Sequence, residues 1–318
     1  MNRDLVRVLI PCRMRVTAIM EYLIATLHFP DHRPKAEAYK WPLVFEEIAR
    51  LSFPGLDHRG LLLMLAAYFD DSGTHDNSRV VVWGGFITTA EKWTAFDAAW
   101  RAKLNEPLPG KPSLQKFGLS KCQALDGEFK NYTRAESDLV QNEFRQIIVD
   151  HELLGVAYAI DRLTWDRIVP DTAKAYFGGD AEAACFSPCF AAAIERARKY
   201  WPDELMLSLH FDKGRRSPKL NTIIDRVERD YRGAPALTNI SFDVVEGFTP
   251  LQAADIIATE NYWHAQGVID GNPQPRPHFA HFLQRVSTEG FIAQETEILE
   301  TLRIHGFVPK IISSGDVE

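Results

Sequence analysis

Two stretches of this sequence constrain the fold more than any others. Residues 65–69 and 205–211 are short and almost wholly apolar, and each runs into an aspartate followed by a turn glycine: Asp70-Asp71-Ser72-Gly73 and Asp212-Lys213-Gly214. A strand that is apolar on both faces has to be covered on both, as central strands of α/β sheets are. Residues 80–86 read as the next strand, close enough to the first to pair with it as a hairpin. Beyond them helix and strand alternate. Thr89 can cap a helix reaching about residue 104, and a loop rich in Pro, Gly and Lys covers 106–121. Helix is expected over 133–151, strand over 153–160, and helix over 181–200 with Pro188 as a kink. A helix opened by Ser217-Pro218, a strand over 240–245 and a helix over 249–264 complete the pattern. The predicted fold is an α/β sheet that opens with a hairpin and is flanked by helices on both faces.

In open α/β sheets the functional crevice lies beyond the carboxyl ends of the strands. Asp70 and Asp212 each occupy such an end. Aspartate is also a common turn residue after a strand, because its side chain bonds the local backbone. A third acid shifts the balance. Thr249-Pro250-Leu251-Gln252 reads as a helix start, with Thr249 as N-cap, Pro250 in the first helical position and Gln252 completing a capping box. On that helix Leu251, Ala254, Ala258 and Tyr262 form an apolar stripe, and Asp255 sits on its edge with Ala253, Ala254, Ile256, Ile257 and Ala258 around it. Burying a lone carboxylate costs several kcal/mol, so Asp255 is expected to be paired, protonated or bound to a metal. Two strand-end acids and one helical acid together suit a hard cation, Mg²⁺ or Mn²⁺, which takes carboxylate oxygens and keeps waters for a phosphate to displace. Asp70, Asp212 and Asp255 are the candidate catalytic and metal-ligating residues. Asp71 is a second choice for the first ligand, because successive strand residues face opposite ways.

A formal net charge of −7 argues against a protein that coats nucleic acid by bulk electrostatics, although bound cations can reverse the sign at an acidic site. The longest apolar run, residues 61–69, is about half of the roughly 20 residues that a membrane span needs. The first 25 residues carry Arg3, Arg7, Arg13 and Arg15 in an amphipathic pattern without a cleavage site, so a cytoplasmic protein is expected rather than a secreted one. Cys185 and Cys189 have no second Cys or His pair beside them to complete a zinc site, and read as buried thiols. Lys213, Arg215, Arg216 and Lys219 follow Asp212 directly. They are candidates for holding substrate phosphates, with Gln252 beside the helical acid, though such a cationic loop is equally an ordinary solvated one. Glu260, five residues past Asp255, faces away from it and reads as solvated. Trp93, Trp100, Trp165 and Trp263 read as core or interface residues, and Gly84-Gly85 as a site of close backbone approach.

These motifs resemble a known family. The segment Tyr68 to Thr74 with the strand that follows, the segment Phe211-Asp212-Lys213-Gly214, and Pro250-Leu251-Gln252-Ala253-Ala254-Asp255 are similar to the opening, middle and closing motifs of the domain-of-unknown-function family 3800. The resemblance covers about residues 64–264. It implies a ribonuclease-H-like fold and a metal-dependent nuclease acting on DNA or RNA, with Asp70, Asp212 and Asp255 at the positions of that family's acids. One departure stands out. Many relatives carry a Phe-His segment after the first helix, whereas this chain has Phe117-Gly118-Leu119-Ser120-Lys121, with Gly118 in the histidine position and Lys121 in that of an acid. Either His75 supplies the missing function or the protein is a catalytically inactive module that binds nucleic acid or protein. Residues 64–310 are expected to form the ribonuclease-H-like domain and 311–318 a frayed tail. Residues 1–63 read as a helical or poorly ordered extension, either an appended module or an upstream reading of the start codon.

Overall fold

The computed structural model describes residues 64–75, 77–201, 206–212, 237–243 and 248–310, with the backbone alone for 64, 206, 212 and 237–243. The expectations for 1–63, for the helix at 217–229 and for 311–318 lie outside the described residues. Six strands form one sheet: β1 (Met64–Ser72), β2 (Val80–Thr89), β3 (Leu154–Asp161), β4 (Met206–Asp212), β5 (Leu237–Asp243) and β6 (Thr288–Ala293). Their order is β5-β4-β1-β2-β3-β6. β2 runs antiparallel to β1 and β3, while β4 is parallel to both β1 and β5, and β6 is parallel to β3. A three-strand meander followed by two parallel strands on the far side of β1 is the ribonuclease-H-like arrangement, here with β6 added at the β3 edge. Strand β5 is described over Leu237–Asp243, beginning ahead of the expected start at 240.

Nine helices are present among the described residues: α1 (Ala90–Asn105), α2 (Leu119–Ala124), α3 (Arg134–Asp150), α4 (Arg162–Ile168), α5 (Asp171–Tyr176), α6 (Ala181–Tyr200), α7 (Thr249–Ile269), α8 (Pro277–Leu283) and α9 (Glu295–Ile304). Helices α1 and α3 start where threonine caps announce them. Thr89 accepts from the Lys92 N–H, and Thr133 forms a reciprocal capping box with Glu136. The start of α7 departs from its sequence signal. Phe248 is the N-cap and Thr249 is already helical, its buried hydroxyl donating to Asp97 Oδ1 at 2.6 Å. No capping box forms there, because the Gln252 side chain is used elsewhere.

Alternation along β1 divides two cores. Leu65, Ala67 and Phe69 pack with Trp83, Phe211 and the α6 residues Phe186 and Phe190, whereas Ala66 and Tyr68 face α1, α3 and α7. Cys185 and Cys189 belong to the first core. The Cys185 thiol donates to the Tyr158 carbonyl at 3.0 Å, and burial pushes both thiols up, which suits structural thiols rather than metal ligands. Trp93, Trp100 and Trp165 are buried as expected, but Trp263 is 48% exposed.

Helix α7 is buried nearly all round, with Leu251, Ala253, Ala254, Ile256, Ile257 and Ala258 fully enclosed. It lies along β1 and β2, and Gly84 lets it come close: a Cβ there would sit 3.0 Å from the Ala258 amide nitrogen. Farther along, Tyr262 covers Gly73. That glycine takes φ +74°, and a side chain on it would strike the Val80 carbonyl and the Tyr262 ring.

His264, on the same helix, is 6% exposed, and its Nδ1 finds no partner among the described residues. Burial holds this imidazole below its usual 6.5. Between that lowered value and 6.5 the unfolded chain takes up a proton that the folded chain refuses, so stability is lost as pH falls through this window. His264→Phe is expected to flatten that part of the profile, read from urea unfolding at about pH 7.5 and about pH 5.5. Equal losses in wild type and variant would show that the acid sensitivity arises elsewhere.

Candidate functional site

The hairpin register decides which way each acid of β1 faces. Asp70 pairs with Gly84, and residues directly opposite in an antiparallel pair share a face. Gly84 faces α7, so Asp70 does too, on the same side as Tyr68. Asp71 pairs with Trp83, which belongs to the other core. Asp70 Oδ1 accepts the Asp71 N–H at 2.8 Å, and Asp71 Oδ2 accepts the Thr74 hydroxyl at 2.7 Å. Arg162 braces the turn from outside through the carbonyls of Gly73 and His75. The side chain of His75 is exposed on that turn.

Asp255 lies one helical turn before the Ala258–Gly84 contact. Gly84 is the hairpin partner of Asp70, so Asp255 sits within one turn of the helix position that faces Asp70. Its Oδ2 accepts the Leu119 N–H at 2.8 Å and its Oδ1 the Thr259 hydroxyl at 3.2 Å. Burial raises this carboxyl above its ordinary range. The Leu119 and Thr259 hydrogen bonds draw it back, the charge of Asp71 raises it further, and the charge of Lys116 lowers it. Asp255 is half-buried rather than enclosed, and the compensation of its charge is partial. Asp71 bears on Asp255 electrostatically even though the pleat turns Asp70 toward it, so the two β1 acids remain rival partners.

On the parallel side, Phe69 pairs with Phe211, which puts Asp212 at the same sheet edge as Asp70, and Asp212 pairs in turn with Asp243. This register brings Asp243 to that edge, where the sequence pattern had marked only Asp212. The side chains of both lie outside the described residues, as do Lys213, Arg215, Arg216 and Lys219. Among the described residues no three carboxylate, imidazole or thiolate groups converge closely enough to hold an ion by themselves.

Gln252 is 1% exposed. Its Oε1 accepts the Phe117 N–H at 2.9 Å and the Trp100 indole N–H at 3.0 Å. The side chain braces the segment that runs past the site, where the sequence suggested a cap. The Phe117-Gly118-Leu119 segment is thus tied to α7 twice, at Gln252 and at Asp255. Sequence reasoning missed three contributors here: Lys116, the Leu119 N–H and Thr259. Only Thr259, four residues past Asp255 on the same helix, carried a local signal.

Glu260 is the clearest correction. It is fully enclosed rather than solvated, bound by Arg145 at 2.5 Å, Arg276 at 2.7 Å and His278 at 3.1 Å. Burial alone would push its carboxyl up. The hydrogen bond from His278 and the charges of Arg145 and Arg276 outweigh burial and hold it below the usual range. The reason is that α7 is covered on the side opposite the site as well, by α3 and the segment leading into α8.

No protein-family model matches the chain, and a search of curated proteins returned no match. Among solved structures, a chain of the PCNA:RNase HII complex from Archaeoglobus fulgidus is similar to this one at 14% identity and a TM-score of 0.30, over 80% of this chain and 96% of that chain. So loose a superposition adds nothing to the fold assignment, which rests on the strand order and register. Among the described residues no helix is long and apolar enough to cross a membrane.

Proposed function

We propose that this protein is a divalent-metal-dependent nuclease or phosphodiester hydrolase of the family 3800 kind, with its site at the carboxyl end of β1 and β4. The observation that carries this reading is Asp255: an acid flanked on α7 by Ala253, Ala254, Ile256, Ile257 and Ala258, one turn from the Gly84 contact, whose charge burial and Asp71 both disfavour. A carboxylate in that position calls for a cation. The donor set is all carboxylate oxygen, which suits Mg²⁺ or Mn²⁺, with Asp70, Asp212 and Asp255 as the residues that would hold it and Asp71 as the rival first ligand. A bound ion of this type supplies an activated water and neutralises charge on a phosphate. The chain's own part is to fix the acids. Leu119 and Thr259 hold Asp255, the Asp71 amide holds Asp70, and Gly84 sets the distance between helix and strand. The substrate is DNA or RNA.

A panel of single-stranded, double-stranded and hybrid oligonucleotides with Mg²⁺ or Mn²⁺ tests the reading. Wild type is expected to cleave at least one. Asp70→Asn should lower the rate about a thousandfold, roughly the 4 kcal/mol that a displaced catalytic ion is worth, and Asp71→Asn far less. The reverse ranking would make Asp71 the ligand. Binding without turnover in wild type would favour the inactive-module reading, which Gly118 and Lys121 motivate.

A further inference from the structure

The segment between α1 and α2 carries a cation that no sequence pattern singled out. Its path over α7 is fixed at two points, the Phe117 N–H on Gln252 and the Leu119 N–H on Asp255. Lys116 immediately precedes the first tie, which is made one turn of α7 before Asp255; it is half-buried, and its positive charge favours the ionised form of Asp255. Between the two ties the chain is open. Gly118 has φ −132°, ordinary for any residue, and a Cβ built there would meet nothing within 4 Å among the described residues.

We infer that Lys116 binds phosphate at this site, its ammonium contacting a non-bridging oxygen of a phosphodiester set against Asp70 and Asp255. The inference rests on the functional reading above and deepens it. An edge that carries Asp70, Asp71 and Asp255 repels a polyanion, so a substrate phosphate needs a fixed positive charge beside the carboxylates. Lysine is a point charge on a flexible stem and suits a phosphate that must enter and leave. Helix α7 holds the lysine's backbone neighbours, so this charge is positioned by the same element that positions Asp255. The space at Gly118 leaves room for a ligand next to it.

The test uses the full chain, with fluorescence anisotropy of a fluorescein-labelled RNA–DNA hybrid and its single strands in Ca²⁺, titrated across salt. The thermal response to Mn²⁺ is measured in parallel. Lys116→Gln is expected to weaken oligonucleotide binding about five- to tenfold and to reduce the salt slope by about one. Lys116→Arg should recover most of the affinity. The Mn²⁺ response of Lys116→Gln should equal or exceed that of wild type, because a neighbouring positive charge has gone. Unchanged affinity and slope in Lys116→Gln, with Asp255→Asn still losing its Mn²⁺ response, would overturn the role of Lys116 and leave the metal site standing. Loss of both oligonucleotide binding and the Mn²⁺ response in Lys116→Gln would also overturn it, since the lysine would then brace the site rather than meet substrate. A wild type that responds to neither Mn²⁺ nor oligonucleotide would overturn the site and the lysine together.

Discussion

Asp255→Asn is expected to abolish the rise in melting temperature that Mn²⁺ gives the wild type, while leaving the metal-free protein at least as stable. The two halves of this result have one origin. In the metal-free state an ionised Asp255 is disfavoured by burial and by Asp71, and its hydrogen bonds from Leu119 and Thr259 only partly offset this. Asparagine keeps an acceptor for the Leu119 N–H and removes the charge, so the fold loses a liability. With metal present the same charge becomes an asset. A ligand bound only by the folded state adds RT ln(1 + [L]/Kd), about 2.7 kcal/mol at a hundredfold excess over Kd, or roughly 5–10 °C for a domain of this size. The variant should gain almost none of this, and cleavage should fall about a thousandfold. An Asp255→Asn protein that Mn²⁺ stabilises as much as wild type would remove Asp255 from the site.

Loss of Glu260 should damage the fold rather than the chemistry. Glu260→Ala leaves Arg145, only 4% exposed, as an uncompensated buried cation. Burial already lowers the pKa of this guanidinium, against the pull of Glu260. Breaking such a pair from one side typically costs about 3–5 kcal/mol, a large share of the roughly 5–15 kcal/mol that holds a domain folded. The double variant Arg145→Met with Glu260→Leu removes both charges and should recover most of the loss, because apolar groups of similar volume often replace a buried ion pair without penalty. Urea unfolding of the two single variants and the double gives the coupling directly. A single-variant loss below about 1 kcal/mol would mean that Arg145 reaches water when Glu260 is gone.

The sequence carried what local pattern can carry. Apolar runs at 65–69 and 205–211 announced the central strands, threonine caps announced α1 and α3, and Thr249-Pro250 announced the start of α7. It failed where partners come from afar. Glu260 looked like the point where α7 meets solvent, because nothing near it in sequence reveals Arg145, Arg276 and His278. Gln252 looked like a cap because its spacing from Thr249 fits one, yet its amide serves Trp100 and Phe117, whose approach only the tertiary fold determines. Lys116 was invisible for the same reason: a lysine in an irregular loop has no period to betray it. The choice between Asp70 and Asp71 rested on the pleat, and the hairpin register supplies the facing that strand alternation alone had left open.

The order of elements along the chain sets the order in which the sheet and α7 can come together. β1, β2 and β3 are consecutive and pair as a meander, so this half of the sheet can form while the rest is still being translated. Its acids then stand alone. Asp212 arrives with β4, and Asp255 only when α7 docks on Gly84, after β5. Until α7 docks, the sheet presents the acids of β1 and β4 without Asp255, so the candidate site comes together only with the last of these elements.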